Sequence, residues 1–163
     1  MKKLFLTMLV VLVSMSTMAQ DKKFGLGFNL LYGTKIENVG FGVKGQYYAS
    51  EAVRLEANVD YFMKNKHFKK GDKEDEVTSA DVNVVAHYLI PTGSKMYLYP
   101  IAGVGLSLWH YSVLDNDRKV SINLGAGYQF DIAEDFVISA EAKYQIIDSY
   151  NQAVFAVGAA YKF

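Results

Sequence analysis

The chain contains no cysteine and only two prolines, Pro91 and Pro100. The first absence excludes a disulfide framework, a thiolate metal site and a lipid-modified anchor cysteine. Net charge is missing too. Lys+Arg and Asp+Glu both number 17, so no excess points to nucleic acid or to an anionic surface. Beyond the N-terminus no apolar run approaches the roughly 18 residues of a spanning helix. His67 and His87 stand singly, without metal-ligand spacing, so neither metal nor cofactor is expected. Gly40-Phe41-Gly42-Val43-Lys44-Gly45 does spell G-x-G-x-x-G. The dinucleotide fingerprint needs a helix after its glycines, however, and here a period-2 pattern continues straight through them.

What is present is aromatic and glycine-rich: 12 Tyr, 10 Phe and 13 Gly in 163 residues, a mixture that suits strands and fills one domain. Residues 1–19 read as a cleavable signal peptide, with Lys2 and Lys3 before an apolar run and Thr17-Met18-Ala19 at its end. Residues 20–163 then form the exported domain. Without Lys2 and Lys3 it carries 15 basic against 17 acidic residues.

Eight alternating segments follow, at 24–33, 39–48, 53–63, 77–90, 96–109, 120–130, 136–147 and 153–163. In 136–147, Phe136, Ile138, Ala140, Ala142, Tyr144 and Ile146 alternate with Val137, Ser139, Glu141, Lys143 and Gln145. Segment 96–109 is the least regular, and Pro100, which cannot donate to a ladder, predicts that regular pairing begins just after it. Its outward set is assigned as Ala102, Val104, Leu106 and Leu108. Residues 64–76 and 110–119 read as exposed polar loops. The predicted fold is all-β: an eight-stranded antiparallel up-and-down transmembrane barrel, with strands of about ten residues.

Alternation alone does not say which face meets lipid. A soluble barrel with an apolar interior has the opposite sense. Volume decides, because side chains of ordinary size already fill an eight-stranded lumen. The large apolar set therefore faces lipid, and the set rich in Gly, Ala, Asn and Gln lines the lumen. Aromatics gather towards the strand ends as two girdles. The lumen set carries Lys44, Arg54, Glu56, Asp60, Asp81, Glu141 and Lys143. Buried charges must pair or hold water, so these are expected to form a network, with Lys44, Arg54, Glu56 and Glu141 at comparable heights. Structural filling is preferred over an ion path because the lumen is narrow.

With these segments and the terminal Tyr161-Lys162-Phe163, residues 20–163 resemble the small eight-stranded outer-membrane proteins, the OmpX-like and OmpA-barrel-like group. The resemblance implies an outer-membrane location, periplasmic termini, and Tyr161 and Phe163 as a signal to the barrel-assembly machinery. It further implies lipid and lipopolysaccharide as surroundings, a monomer, and a non-enzymatic role in the envelope or in adhesion. A narrow small-solute channel is the alternative. The external contact candidates are Lys66, His67, Lys69, Lys70 and Lys73 in the loop 64–76, facing lipopolysaccharide phosphates or another surface.

His110-Tyr111-Ser112 resembles the His-x-Ser pair of the outer-membrane lipid A deacylases. Two residues apart on a strand, His110 and Ser112 share a face, and a His beside a hydroxyl is able to activate it. The orienting Glu of that family has no match among Val120, Ile122 and Leu124. The reading adopted is that these are polar residues where a strand leaves the bilayer, with no catalytic residue assigned.

Overall fold

A computed structural model of the protein describes residues 23–70, 73–111 and 116–163, with the side chains of 66–70 and 73–75 outside the description. The signal-peptide reading of 1–19 lies outside it. Nine strand segments follow one another: β1 (Phe24–Gly33), β2 (Asn38–Tyr48), β3 (Val53–Lys70), β4 (Lys73–Tyr88), β5 (Ile90–Gly93), β6 (Met96–Tyr111), β7 (Asp117–Asp131), β8 (Phe136–Ile147) and β9 (Gln152–Lys162). Each pairs antiparallel with its neighbours, and β1 pairs with β9 from Gly25↔Lys162 to Gly33↔Val154. That last ladder closes the sheet. The ring has eight positions, because β5 continues the line of β4 along β6.

Closure follows from the alternation. With one face apolar and the other small or polar, an open sheet would leave two edges of unpaired amides, and a barrel leaves none. The apolar face points outward, as expected. Phe28, Leu30, Phe41, Val43, Val84, Val104, Val120, Phe155 and Val157 are each more than half exposed. Ala102, Val104, Leu106 and Leu108 are all outward. The two sides of the wall thus form a lipid-facing apolar surface and a polar lining.

Three expectations need correcting. Pairing in β6 begins at Met96, and Pro100 lies inside the ladder opposite Ala126. The missing N–H is felt on the other side instead. Pairing with β4 stops at His87↔Ile101 and resumes in β5 at Ile90↔Leu98, so the interruption falls at Pro100. Second, residues 64–70 and 73–76 are strand rather than loop: β3 and β4 run on as a ribbon to Lys70↔Lys73, with register shifts between Phe62 and Phe68. Third, the polar stretch after Trp109 is shorter than 110–119. β6 continues through His110↔Thr78 and Tyr111↔Val77, and β7 starts at Asp117.

Phe24 and Phe163 meet at one end of the barrel, where each N–H donates to the other's carbonyl, at 3.3 and 2.8 Å. This is the terminal end; the other, where β3 and β4 project, is the distal end. Inward glycines permit close approach across the lumen. A Cβ on Gly105 would lie 2.1 Å from Asn83 Oδ1, and one on Gly127 would lie 2.3 Å from the Tyr99 ring. Lipid-facing Gly45 has open space, with its nearest atom at 4.0 Å.

Gly127→Ala is therefore expected to cost about 1–3 kcal/mol through overpacking, while Gly45→Ala changes stability little. Urea-unfolding midpoints of the two variants in detergent check this; equal midpoints would contradict the packing of Tyr99 against Gly127.

Candidate functional site

The lumen is filled in three storeys. At the distal end Leu31, Ile36, Phe62, Val77, Trp109, Tyr111, Ile147, Tyr150, Val154 and Ala156 form an apolar cluster across the mouth. Trp109 and Tyr150 stack at 4.7 Å between centroids, 19° apart. The Tyr150 hydroxyl donates to Asp117 at 2.5 Å. Burial, with this hydrogen bond second, raises the affinity of the Tyr150 hydroxyl for its proton. On the rim Lys119 donates to Asp148 at 2.9 Å and holds that carboxyl below its ordinary range.

The middle storey is polar and sealed from solvent. Lys44 Nζ lies 3.9 Å from Glu56 and 3.7 Å from Glu141, and donates to Ser139 at 3.2 Å. Glu56 also accepts from Gln46 at 2.9 Å and from Asn58 at 3.0 Å. Lys143 pairs with Asp60 at 3.2 Å. Asp81, fully buried, accepts from Gln145 at 3.1 Å. Asn123 donates to Asn83 and Asn83 donates to Asn58, each at 2.9 Å, an amide chain from β7 to β3. It crosses β6 at Gly105, where a side chain would block it. Desolvated ions and amides are thus satisfied mainly by one another.

The third storey, towards the terminal end, differs from expectation. Arg54 does not join the ion network with Lys44, Glu56 and Glu141. Its guanidinium lies 4.7 Å from the Tyr99 ring centroid, with Nε donating to His87 Nδ1 at 2.9 Å and Nη1 to Gln129 Oε1 at 2.5 Å. An aromatic face and two neutral acceptors hold this cation. His87, expected to stand alone, is its partner. Tyr99 in turn donates to Glu141 at 2.8 Å and so ties this storey to the middle one. Val85, Leu89 and Ile101 pack around it.

The sequence reading missed both apolar storeys. The signal was present as adjacent apolar pairs that break the alternation near strand ends: Leu30-Leu31, Tyr61-Phe62 and Ile146-Ile147 distally, Val84-Val85 and Leu89-Ile90 at the terminal end. His110 is exposed on the lipid face opposite Thr78, and Tyr111 N–H donates to Asn116. Arg118, outward on β7 opposite Leu108, supplies no carboxylate. Ser112 lies outside the described residues, as do the side chains of Lys66, His67, Lys69, Lys70 and Lys73. Tyr161 is outward, more than half exposed, and Phe163 is half-buried. Among the described residues no His, Asp and Glu cluster is built to hold a metal.

A closed barrel with an apolar exterior and a hydrogen-bonded polar interior defines a transmembrane β-barrel protein. The profile of the outer membrane protein beta-barrel domain matches residues 5–163, and the chain belongs to that family, located in the outer membrane. It is 28% identical over 156 residues to the attachment invasion locus protein of Yersinia enterocolitica, spanning 90% of this chain and 76% of that protein. Among solved structures, Ail of Yersinia pestis in complex with the heparin analogue sucrose octasulfate superposes with a TM-score of 0.60. The identity is 20%, over 86% of this chain and 96% of that one. Neisserial surface protein A superposes with a TM-score of 0.63 at 15% identity, over 86% and 97%. At such identities the superpositions report the shared fold.

Lys143→Met leaves Asp60 buried without its cation and is expected to cost roughly 3–5 kcal/mol. Asp60→Asn combined with Lys143→Met should recover much of that loss. Equilibrium unfolding of the double-mutant cycle measures the coupling; a double variant no more stable than Lys143→Met would contradict the pairing.

Proposed function

We propose that this protein acts as a non-enzymatic barrel carrying an external contact surface, with the distal end outside the cell and the terminal end in the periplasm. The observation that carries the reading is the β3–β4 ribbon. Pairing of β3 with β2 reaches Gly40↔Phe62, and pairing of β4 with β6 reaches Val77↔Tyr111. Among the described residues the two strands pair beyond those points only with each other, through Phe68↔Asp75, Lys69↔Glu74 and Lys70↔Lys73. The ribbon's base is tied down, since Asn38 Nδ2 donates to the Lys64 carbonyl at 2.9 Å and Asn65 Nδ2 to the Ile36 carbonyl at 2.7 Å.

A ribbon edge offers rows of backbone donors and acceptors to a partner. Lys66, His67, Lys69, Lys70 and Lys73 add basic groups along it, interspersed with Asp72, Glu74 and Asp75. The orientation is supported by the short turns at the terminal end and the longer projections at the distal end, the usual asymmetry of outer-membrane barrels. Similarity to an attachment invasion locus protein, and a heparin analogue bound by a structural neighbour, favour a surface partner over a solute. The same orientation places Tyr161 and Phe163 at the periplasmic edge, where the assembly machinery would read them. The chain acts as a monomer surrounded by lipid and lipopolysaccharide.

Deleting residues 66–74 is expected to abolish attachment of displaying cells to heparin-coated and matrix-coated surfaces. The barrel should keep its heat-dependent gel mobility shift, which shows that it still folds. Unchanged attachment with the shift retained would remove the ribbon as the contact surface.

A further inference from the structure

The buried interior does not balance its own charge. Seven charge-bearing side chains, none more than 8% exposed, lie within it: Lys44, Arg54 and Lys143 against Glu56, Asp60, Asp81 and Glu141. His87 adds no charge, because its Nδ1 accepts from Arg54 Nε at 2.9 Å and so carries no proton. Tyr99 keeps its hydroxyl proton, which it donates to Glu141 at 2.8 Å. At the terminal mouth Lys162 and Asp131 cancel at 2.9 Å, as Lys119 and Asp148 do on the distal rim. Asp117, bonded to Tyr150 at that rim, is partly exposed. Among the described residues, three cations thus meet four carboxyls in a space closed to solvent.

The pairing shows which carboxyl is in excess. Glu56 and Glu141 lie 3.9 and 3.7 Å from Lys44 Nζ, and Asp60 lies 3.2 Å from Lys143 Nζ. Asp81 is fully buried, and no cation among the described residues pairs with it. Its hydrogen-bond partners are neutral: Gln145 donates to Oδ2 at 3.1 Å, and Ser79 Oγ lies 3.5 Å from Oδ1. Its register partner on β3 is Asp60, a second carboxyl. On β6 it is Ser107, fully buried, whose Oγ has no hydrogen-bond partner elsewhere among the described residues. Neighbouring carboxyls in a desolvated site do not both ionise.

We infer that Asp81 is a proton-binding site: it stands in the lumen as a neutral carboxylic acid, with Oδ2 accepting from Gln145 and the proton on Oδ1 donated to Ser107 Oγ. The proton is the fourth positive charge, which the interior's own side chains do not supply. One carboxyl and two hydroxyls are fewer than the roughly six oxygens that a hard metal cation takes, so the smallest cation suits the place. The unfolded chain exposes Asp81 to water, where it is ionised at neutral pH. Folding therefore takes the proton up from solvent. This site lies inside the wall and does not depend on the function proposed for the ribbon.

Infrared spectra of the full barrel, folded in an ester-free detergent at neutral pH, test the inference. The parent should show the carbonyl band of a protonated carboxylic acid, moved by carbon-13 aspartate and unmoved by carbon-13 glutamate. Asp81→Asn, of nearly the same shape and without the proton, should lack the band and keep the parent's urea midpoint. Its refolding, followed with a pH-indicator dye, should take up about one proton fewer per barrel. Should that variant not fold, the labelled parent decides together with Ser107→Ala, which removes the acceptor and should shift the band without abolishing it. The inference is overturned by a folded parent without the band, by a band that moves with glutamate labelling, or by one that persists in folded Asp81→Asn. A band that disappears in sodium chloride would also overturn it, by putting a metal cation in the proton's place.

Discussion

A narrow closed wall has only two places to put a side chain, lipid or lumen, and neither supplies water. Every other property of this barrel depends on that constraint. On the lipid side it favours apolar residues, hence the exterior of Phe, Leu, Val, Ile and Tyr, with His110 and Arg118 outward only near the distal end. On the lumen side it admits polar residues only where they find one another. Lys44 sits between Glu56 and Glu141, Lys143 meets Asp60, and the amides of Asn58, Asn83 and Asn123 join in a chain. Glycine is the spacer that lets these groups meet across a strand, as at Gly105. Such a network adds little net stability over a well-packed apolar filling, but removing one partner is costly. Its physical effect is to fix register: a one-residue slip would turn every ion towards lipid.

Much of this was legible in the sequence because the strand period of two maps directly onto the two environments. The eight positions, the outward set in segment 96–109 and the inward placement of Lys44, Arg54, Glu56, Asp60, Asp81, Glu141 and Lys143 all follow from alternation and volume. Partner choice did not follow. Period-2 reasoning gives the face and approximate height of Arg54, but not that its guanidinium turns to Tyr99, His87 and Gln129 rather than to Glu56. That depends on side-chain reach across the lumen between strands far apart in the chain. The ribbon was hidden for a different reason. Beyond the bilayer neither face is apolar, so residues 64–76 lose the alternation while keeping their strand pairing. The ladder across Pro100 was underestimated because a lost donor interrupts one side of a strand only.

The functional reading follows from the same division. A lumen capped by Trp109, Tyr150 and Phe62 at one end and filled by Arg54 and Tyr99 towards the other is packed with side chains, which favours a role for surfaces outside it. Distally that surface is the β3–β4 ribbon, where paired backbone continues past the ring that supports it. The barrel wall and its interior supply a rigid mount for it.

The central claim is that the lumen is packed shut. Single-channel recording of the purified barrel in planar lipid bilayers tests it most directly. The sealed three-storey filling predicts no discrete conductance steps at physiological salt, in the parent protein and in Glu141→Ala alike. Reproducible steps in the parent protein would contradict it.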